Sequence, residues 1–466
     1  MQANPGNEVI IMNMGLILFL LMAALEIVLV IMTCVRATEK KLWRKNRLFV
    51  RIAEIVIAIA AILLPFGQKW RLTGILVTLA VLAFIAALAI LIRRKKKEGA
   101  VRKSKVIVSC VLSVLLIGFA LVPAFVFTGY NGLPTSGGYD VKETSAILID
   151  HTRTDSFEND GSSREVPVHF YYPETKDGSM ERFPLIVFSH GAFGYYQSNT
   201  STYMELASNG YVVAALDHPH HAFFSKDTDG KTVIVDMDFL NTALNLNSEM
   251  GNEKLYALYT EWMTLRTGDV DFAVDTIKAA VLTGETDESW FVSERESDAI
   301  KAVLNRTDIE KIGLMGHSMG GATAVALGRE RDDISAVIDV DGTMLGEYTG
   351  VENGEFTFRE EPYTVPVLAF DNWDSYNDMA EYQAQGGIHP NVRLLNSASV
   401  GFQTTIRGSK HMDFTDLPLL SPLLGRLLGS GERDTKETMT IVNSLVLDFF
   451  NCYLKGEGVF TVNAVY

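Results

Sequence analysis

The chemistry in this chain centres on Lys311 to Ala322, K-I-G-L-M-G-H-S-M-G-G-A. An apolar run leads into Gly316-His317-Ser318-Met319-Gly320, and a small-residue helical stretch follows. That is G-x-S-x-G in a strand, turn and helix context, where a tight turn lifts a serine oxygen clear of a sheet. The same turn places the Met319 N–H and a helix N-terminus where a tetrahedral oxyanion forms. Ser318 is therefore the candidate nucleophile. A serine hydroxyl needs a base to take its proton and a carboxylate to orient that base.

In this architecture the chain order is serine, acid, histidine. The candidate bases are then His389, in a G-G-I-H-P-N turn, and His411, which follows a β-branched run in I-R-G-S-K-H-M-D-F. The strand-to-loop position favours His411 and leaves His389 as a surface turn residue. The acid has two possible locations: Asp339 and Asp341 in V-I-D-V-D-G, or Asp371 and Asp374 in L-A-F-D-N-W-D. Residue types leave that choice open. A second oxyanion donor is expected from F-S-H-G-A-F-G, which makes Ala192 the partner of Met319. His218, His220 and His221 form D-H-P-H-H, read as the rim of the substrate cleft rather than a metal site, because no distant Cys/His cluster completes a ligand set. Phe193, Tyr195, Tyr196 and Trp373 are candidates to line an apolar acyl site.

Positioning these groups needs a sheet. Short β-branched runs occur at Ser145 to Asp150, Val166 to Tyr172, Pro184 to His190, Tyr211 to Asp217, Lys311 to His317, Ile334 to Asp341, Pro366 to Asp371 and Phe402 to Arg407. Several are continuously apolar, as parallel strands covered on both faces are. Helical patterns lie between them, at about Ser198 to Ser208, Leu255 to Leu282, Ala322 to Arg329 and Thr435 to Leu454. The fold class is α/β: a mostly parallel sheet of eight strands with flanking helices, over residues 141–466. A helical insertion at about 225–308 forms a lid or a wall of the pocket.

The rest of the chain is a different material. The 466 residues carry a net charge of −15, which argues against a basic nucleic-acid binder. Residues 1–128 carry +12 and residues 129–466 carry −27. The first part holds four apolar stretches, about 9–35, 48–66, 72–92 and 106–128, each near the ~17–25 residues that cross a bilayer as a helix. A polar linker at 129–140 joins the two parts. Basic clusters at Arg36 to Arg47 and Arg93 to Lys105 assign two loops to the cytoplasm, so the remainder faces outward, and the expected location is a multi-pass cell membrane protein with an extracellular catalytic domain. Arg51 can snorkel to the cytoplasmic interface and Glu54 or Glu26 can pair within a bundle, but the two acids have no polar companions to form a relay. Cys34, Cys110 and Cys452 give no disulfide framework.

In its motifs the second part resembles the platelet-activating factor acetylhydrolase family of α/β-hydrolases. The likeness covers roughly residues 165–420: F-Y-Y-P (Phe170 to Pro173), F-P-L-I-V-F-S-H-G (Phe183 to Gly191), L-A-S-N-G-Y-V-V-A-A-L-D-H (Leu206 to His218), Ile312 to Thr323, and Ile406 to Phe414. In that family the acid follows the strand after the nucleophile helix. A gap-free run from Ser318 brings Asp341 onto that position, with Met344 also matching, so the resemblance favours Asp341 over Asp339 and Asp371. It implies a serine esterase or lipase acting on phospholipids with a short or oxidised sn-2 acyl chain, without metal or cofactor. Rival readings are a general carboxylesterase, polyester hydrolase or peptidase on the same triad, and a silent binding or sensory ectodomain. A transporter reading has too few polar intramembrane residues to support it.

Overall fold

The computed structural model describes the chain except for residues 1–4, 36–38, 65–67, 94–98, 131 and 176–179; for 5–15, 68–69, 87–93 and 248 it describes the backbone alone. Two compact units result, one of residues 1–131 with 419–424 and one of residues 132–418 with 425–466.

The first unit holds four helices: α1 (Pro5–Val35), α2 (Lys40–Leu63), α3 (Gln68–Arg93) and α4 (Lys103–Val126). Two stretches, Leu16–Val35 and Lys103–Val126, are long and apolar enough to cross a membrane; Trp70–Ala86 is apolar but shorter. Among the described residues, then, two of the four expected spans meet this length and composition; the third expected span, 72–92, runs beyond Ala86 into residues whose side chains are not described. The departure lies mainly in α2, where Arg47, Arg51 and Glu54 recur at i, i+4 and i+7 on one face and are all buried. That face meets Glu26 of α1 and Ser113 of α4. Arg47 pairs with Glu26. Arg51 sits 3.2 Å from Glu26 and 2.6 Å from Glu54. Both guanidiniums donate to Ser113 Oγ, at 2.7 and 2.6 Å. The two acids therefore pair within the bundle, as one reading of the sequence allowed, with more polar companions than the sequence suggests, and Arg51 turns inward instead of snorkelling. In a sequence these groups look isolated because each helix contributes only one to three of them; packing brings them together. The basic residues Arg36 and Arg94 to Lys97 lie outside the described residues.

The second unit is built on nine strands: β1 (Val141–Thr154), β2 (Ser163–Pro173), β3 (Phe183–Ser189), β4 (Val212–Leu216), β5 (Trp290–Phe291), β6 (Thr307–His317), β7 (Ile334–Val340), β8 (Val367–Asp371) and β9 (Gly401–Thr405). Their spatial order is β9-β8-β7-β6-β3-β4-β2-β1-β5. From β9 to β4 the pairing is parallel, and β2, β1 and β5 add antiparallel edges. Every residue of β3 and β4 is buried, as their unbroken apolar runs require. Apolar clusters cover both faces, one through Leu185, Val187, Leu314 and Val337, the other through Ile186, Phe188, Met315 and Ile338. Each such side chain contributes ~1.5–3 kcal/mol on burial. The expected eight strands are all present. The ninth, β5, pairs with β1 through only two residues, too few to leave a period in the sequence.

Helix α5 (Thr200–Ser208) links β3 to β4, and the insertion carries α6 (Met237–Leu244), the 32-residue α7 (Asn252–Thr283) and α8 (Ser297–Arg306). Helices α9 (Met319–Glu330), which starts just after Ser318, and α10 (Trp373–Ala384) follow. Helix α7 buries Trp262, Met263, Val270, Ala273 and Ile277 on one stripe, and Arg266 and Asp269 occupy that same stripe. Two charged groups where the 3.6 period calls for apolar ones need partners inside the fold.

Candidate active site

β6 ends at His317 and α9 begins at Met319, leaving Ser318 alone in the turn with φ +56° and ψ −125°. Its N–H donates to the Val340 carbonyl at 2.8 Å, and its carbonyl accepts from Ala322. A side chain at position 320 would stand 1.9 Å from the Ser189 carbonyl oxygen, so the second glycine of the motif is what lets α9 start against β3. Positive φ in a non-glycine residue is strain that the surroundings must hold. Phe193 (φ 60°) and Asp341 (φ 59°) share it, so three of the five such residues described lie around this turn.

His411 Nδ1 and Asp341 Oδ2 are 2.5 Å apart. With Nδ1–H donating to the carboxylate, Nε2 keeps its lone pair for an incoming proton. The His411 side chain is 43% exposed and Asp341 only 3%. Asn372 donates to Asp341 from its backbone N–H at 2.6 Å and from its amide at 2.9 and 3.0 Å. Burial pushes the Asp341 carboxyl up, but the bonds from His411 and Asn372 outweigh it and hold the group below its ordinary value. His317 packs its ring 4.6 Å from that of His411 and reaches the His411 carbonyl at 3.2 Å. Burial, with the nearby His411, pushes it down to about 3, so this neighbour stays neutral.

The other candidates go elsewhere. Asp339 is fully buried, accepts from the Gly342 N–H at 3.0 Å, and is pushed well above the carboxylate range by burial and by Asp371 and Asp341. Asp371 accepts from Gln403 at 2.7 Å and burial pushes it up to about 7. Asp374 is exposed near Lys410. Among the described residues none of the three contacts His411. His389 is half-buried rather than a free turn residue: it caps the helix Pro390–Ser397, accepting from the Asn391 N–H, and lines a cavity of about 840 Å³ beside Asp341 with Tyr348, Phe356 and Tyr382.

On the other side stands the loop His190 to Gly194. A side chain at position 191 would lie 3.1 Å from Ser318 Cβ, so this loop abuts the serine. Among the described residues, neither the Ala192 nor the Met319 N–H has a protein acceptor. Ala192, Phe193 and Met319 pack with Val235, Phe239, Trp262 and Leu258 of the insertion in one apolar cluster. Of the four aromatics expected to line an acyl site, Phe193 is in this wall. Tyr195 packs on Phe224, Tyr196 stacks on His169, and Trp373 lies under Arg407. Phe239 and Trp262 join Phe193 in that cluster, carried in by helices with no motif to flag them.

D-H-P-H-H is not a cleft rim. His218 and His221 are buried and His220 stacks on Phe157. His218 Nε2 lies 2.9 Å from Ser189 Oγ, and its Nδ1 lies 3.0 Å from Asp269 Oδ2. The fold thus holds a serine, a histidine and an aspartate in hydrogen-bond sequence here, all three buried. Asp269 is held ionised by Arg164, at 2.8 and 3.1 Å, and by Arg153 at 3.0 Å. Burial, with Arg266 nearby, pushes His218 down to about 4. Arg266 and Asp269 escape a motif search; their signal was charge on the apolar stripe of α7.

Residues 162–460 match the family described as platelet-activating factor acetylhydrolase, isoform II. Among curated relatives, a platelet-activating factor acetylhydrolase of Cavia porcellus is 23% identical over 292 residues, covering 59% of this chain and 58% of its own. That of Gallus gallus is 25% identical, covering 59% and 63%. A probable 1-alkyl-2-acetylglycerophosphocholine esterase of Arthroderma benhamiae is 22% identical, covering 61% and 64%. The chain thus spans about three-fifths of these relatives' length. Among solved structures, a ferulic acid esterase from Streptomyces cinnamoneus superposes with a TM-score of 0.50 at 21% identity, over 70% of this chain and 93% of that one. This likeness concerns the fold.

Proposed function

The chain belongs to the platelet-activating factor acetylhydrolase family, and from that premise and the site's geometry we propose that it is a serine esterase of the α/β-hydrolase type. The observation that carries the reading is the 2.5 Å His411–Asp341 bond beside the strained Ser318 turn, with two unengaged backbone N–H groups flanking it. Ser318 Oγ attacks the ester carbonyl while His411 Nε2 takes its proton. Asp341 stabilises the imidazolium, and the Ala192 and Met319 N–H groups bind the oxyanion. His411 then protonates the departing alcohol. A water molecule repeats the sequence on the acyl-enzyme and releases the acid.

The substrates we propose are phospholipids with a short or oxidised sn-2 acyl group. Support comes from the names of the relatives and from the apolar wall of Phe193, Phe239 and Trp262 beside the oxyanion donors. The reading also makes residues 1–128 a membrane anchor of four helices, with residues 141–466 as the catalytic domain outside. The two long apolar helices and the positive charge of the cytoplasm-assigned loops support it.

Two measurements test the proposal. The full-length protein in vesicles should hydrolyse an acetyl phospholipid and a short-chain nitrophenyl ester, and Ser318→Ala should abolish both, a loss of roughly a million-fold. Turnover of the simple ester alone would make it a general carboxylesterase. A membrane-impermeant fluorophosphonate should label the protein on intact cells; labelling only after lysis would reverse the orientation.

A further inference from the structure

Arg266 is fully buried on α7, and among the described residues it forms no ion pair within 4 Å. Burying a guanidinium without a carboxylate beside it costs several kcal/mol, and the neighbouring Arg164 shows the cheaper arrangement, with Asp155 at 2.9 Å and Asp269 at 2.8 Å. Arg266 spends its donors on the loop that abuts Ser318. Nη1 donates to the His190 carbonyl at 2.6 Å, Nη2 to the Gly191 carbonyl at 3.3 Å, and Nε to His221 Nδ1 at 3.3 Å.

The Gly191 carbonyl also accepts from the Gly194 N–H at 3.0 Å and from His190 Nδ1 at 2.7 Å. His190 must donate there, because its Nε2 accepts from the His218 N–H at 3.2 Å. Three donors therefore hold one carbonyl. In a trans peptide the N–H points away from the C=O, so fixing the Gly191 oxygen fixes the direction of the Ala192 N–H on the other side of the same plane. That N–H is one of the two unengaged donors beside the serine.

We infer that Arg266 is a positioning residue for the oxyanion hole, acting through the Gly191–Ala192 peptide it holds from behind. The inference rests on the esterase reading above. His221, stacked on Phe239 at 3.7 Å, keeps the guanidinium in plane. The Ser189–His218–Asp269 chain holds the next layer, since the His218 N–H fixes the ring of His190. An insertion that walls the acyl site therefore also aims the peptide that stabilises the developing charge. Substrate binding does not need that aim; the transition state does.

The test uses the full-length enzyme and Arg266→Met and Arg266→Lys variants. Arg266→Met is expected to lower kcat about 100-fold with KM within about threefold, in the range found for a lost oxyanion donor. Arg266→Lys keeps the charge without the forked geometry and is expected to lose about tenfold at an unchanged thermal midpoint. A trifluoromethyl ketone reports the same term: Ser318 Oγ bonds to its carbonyl carbon, the π pair moves to oxygen, and the proton passes to His411. Its inhibition constant should rise by the factor by which kcat/KM falls. Wild-type kcat and ketone affinity in the folded Lys variant would overturn the inference, whether or not the Met variant folds. A wild-type protein without ester turnover would instead defeat the esterase reading itself.

Discussion

The second unit brings a serine, a histidine and an aspartate near one another twice. In one place a half-exposed His411 is hydrogen-bonded to Asp341 and packs on His317, next to Ser318 in the chain; in the other Asp269, His218 and Ser189 form a continuous hydrogen-bonded chain in the buried interior. Both aspartates are held ionised against burial, Asp341 chiefly by the bonds from His411 and Asn372 and Asp269 chiefly by the Arg164 charge together with bonds from His218 and Arg164. The backbones differ. Ser318 and Asp341 sit at positive φ, while Ser189 is the last residue of an ordinary β-strand. The surroundings differ as well: Ser318 is flanked by unengaged N–H donors, and His218 by Arg164 and Arg266. A serine, a histidine and an aspartate become a nucleophilic centre only where strain lifts the oxygen into reach of substrate and donors await the new charge. Without these, the same groups hold a loop in place.

Substitutions that treat the two sets alike should separate them. Asp341→Asn removes the acceptor that fixes the His411 tautomer, and an expected loss of about 10⁴-fold in kcat should come with little change in the thermal midpoint. Asp269→Asn leaves Arg164 and Arg153 facing a neutral amide. Its expected signature is destabilisation by roughly 3–5 kcal/mol, read in urea unfolding of the second unit. If the two variants exchanged these signatures, the assignment of roles would be wrong. Ser189→Ala is milder: about 1 kcal/mol for one buried hydrogen bond, with fluorophosphonate labelling retained.

The smallest effect lies behind the active pair. The folded chain holds the Asp371 proton up to about 7 against an ordinary value of 3.8, so its contribution to stability is full below about pH 4 and is lost as pH rises through 7. Asp371→Asn should therefore gain stability relative to the wild type as pH is raised from 4 to 7. Asp341 has the opposite sign: held below its ordinary value, it contributes above that value and loses its contribution on acidification. A pH-independent difference for Asp371→Asn would mean that its carboxyl is already ionised beside Asp341.

The sequence revealed the cleft set better than the buried one for a physical reason. Glycines required by close approach surround Ser318, and continuous apolar runs announce the parallel strands that carry His317 and Val340. The eight principal strands, the turn and the histidine after the last strand were legible from such local rules. The choice of acid was not, because Asp339 and Asp371 stand on neighbouring strands and only packing sends Asp341 toward His411. Arg266, Asp269 and the Glu26–Arg47–Arg51–Glu54 cluster share another cause. Each charge reads as an exception on an apolar face until the fold supplies its partner, a charge on another helix or strand or, for Arg266, the carbonyls of a loop.

Mass mapping of the fluorophosphonate adduct on the full-length protein tests the central claim most directly. The account predicts a single adduct, on the peptide that carries Ser318, lost in Ser318→Ala and kept in Ser189→Ala. An adduct on Ser189, or labelling that survives Ser318→Ala, would contradict it.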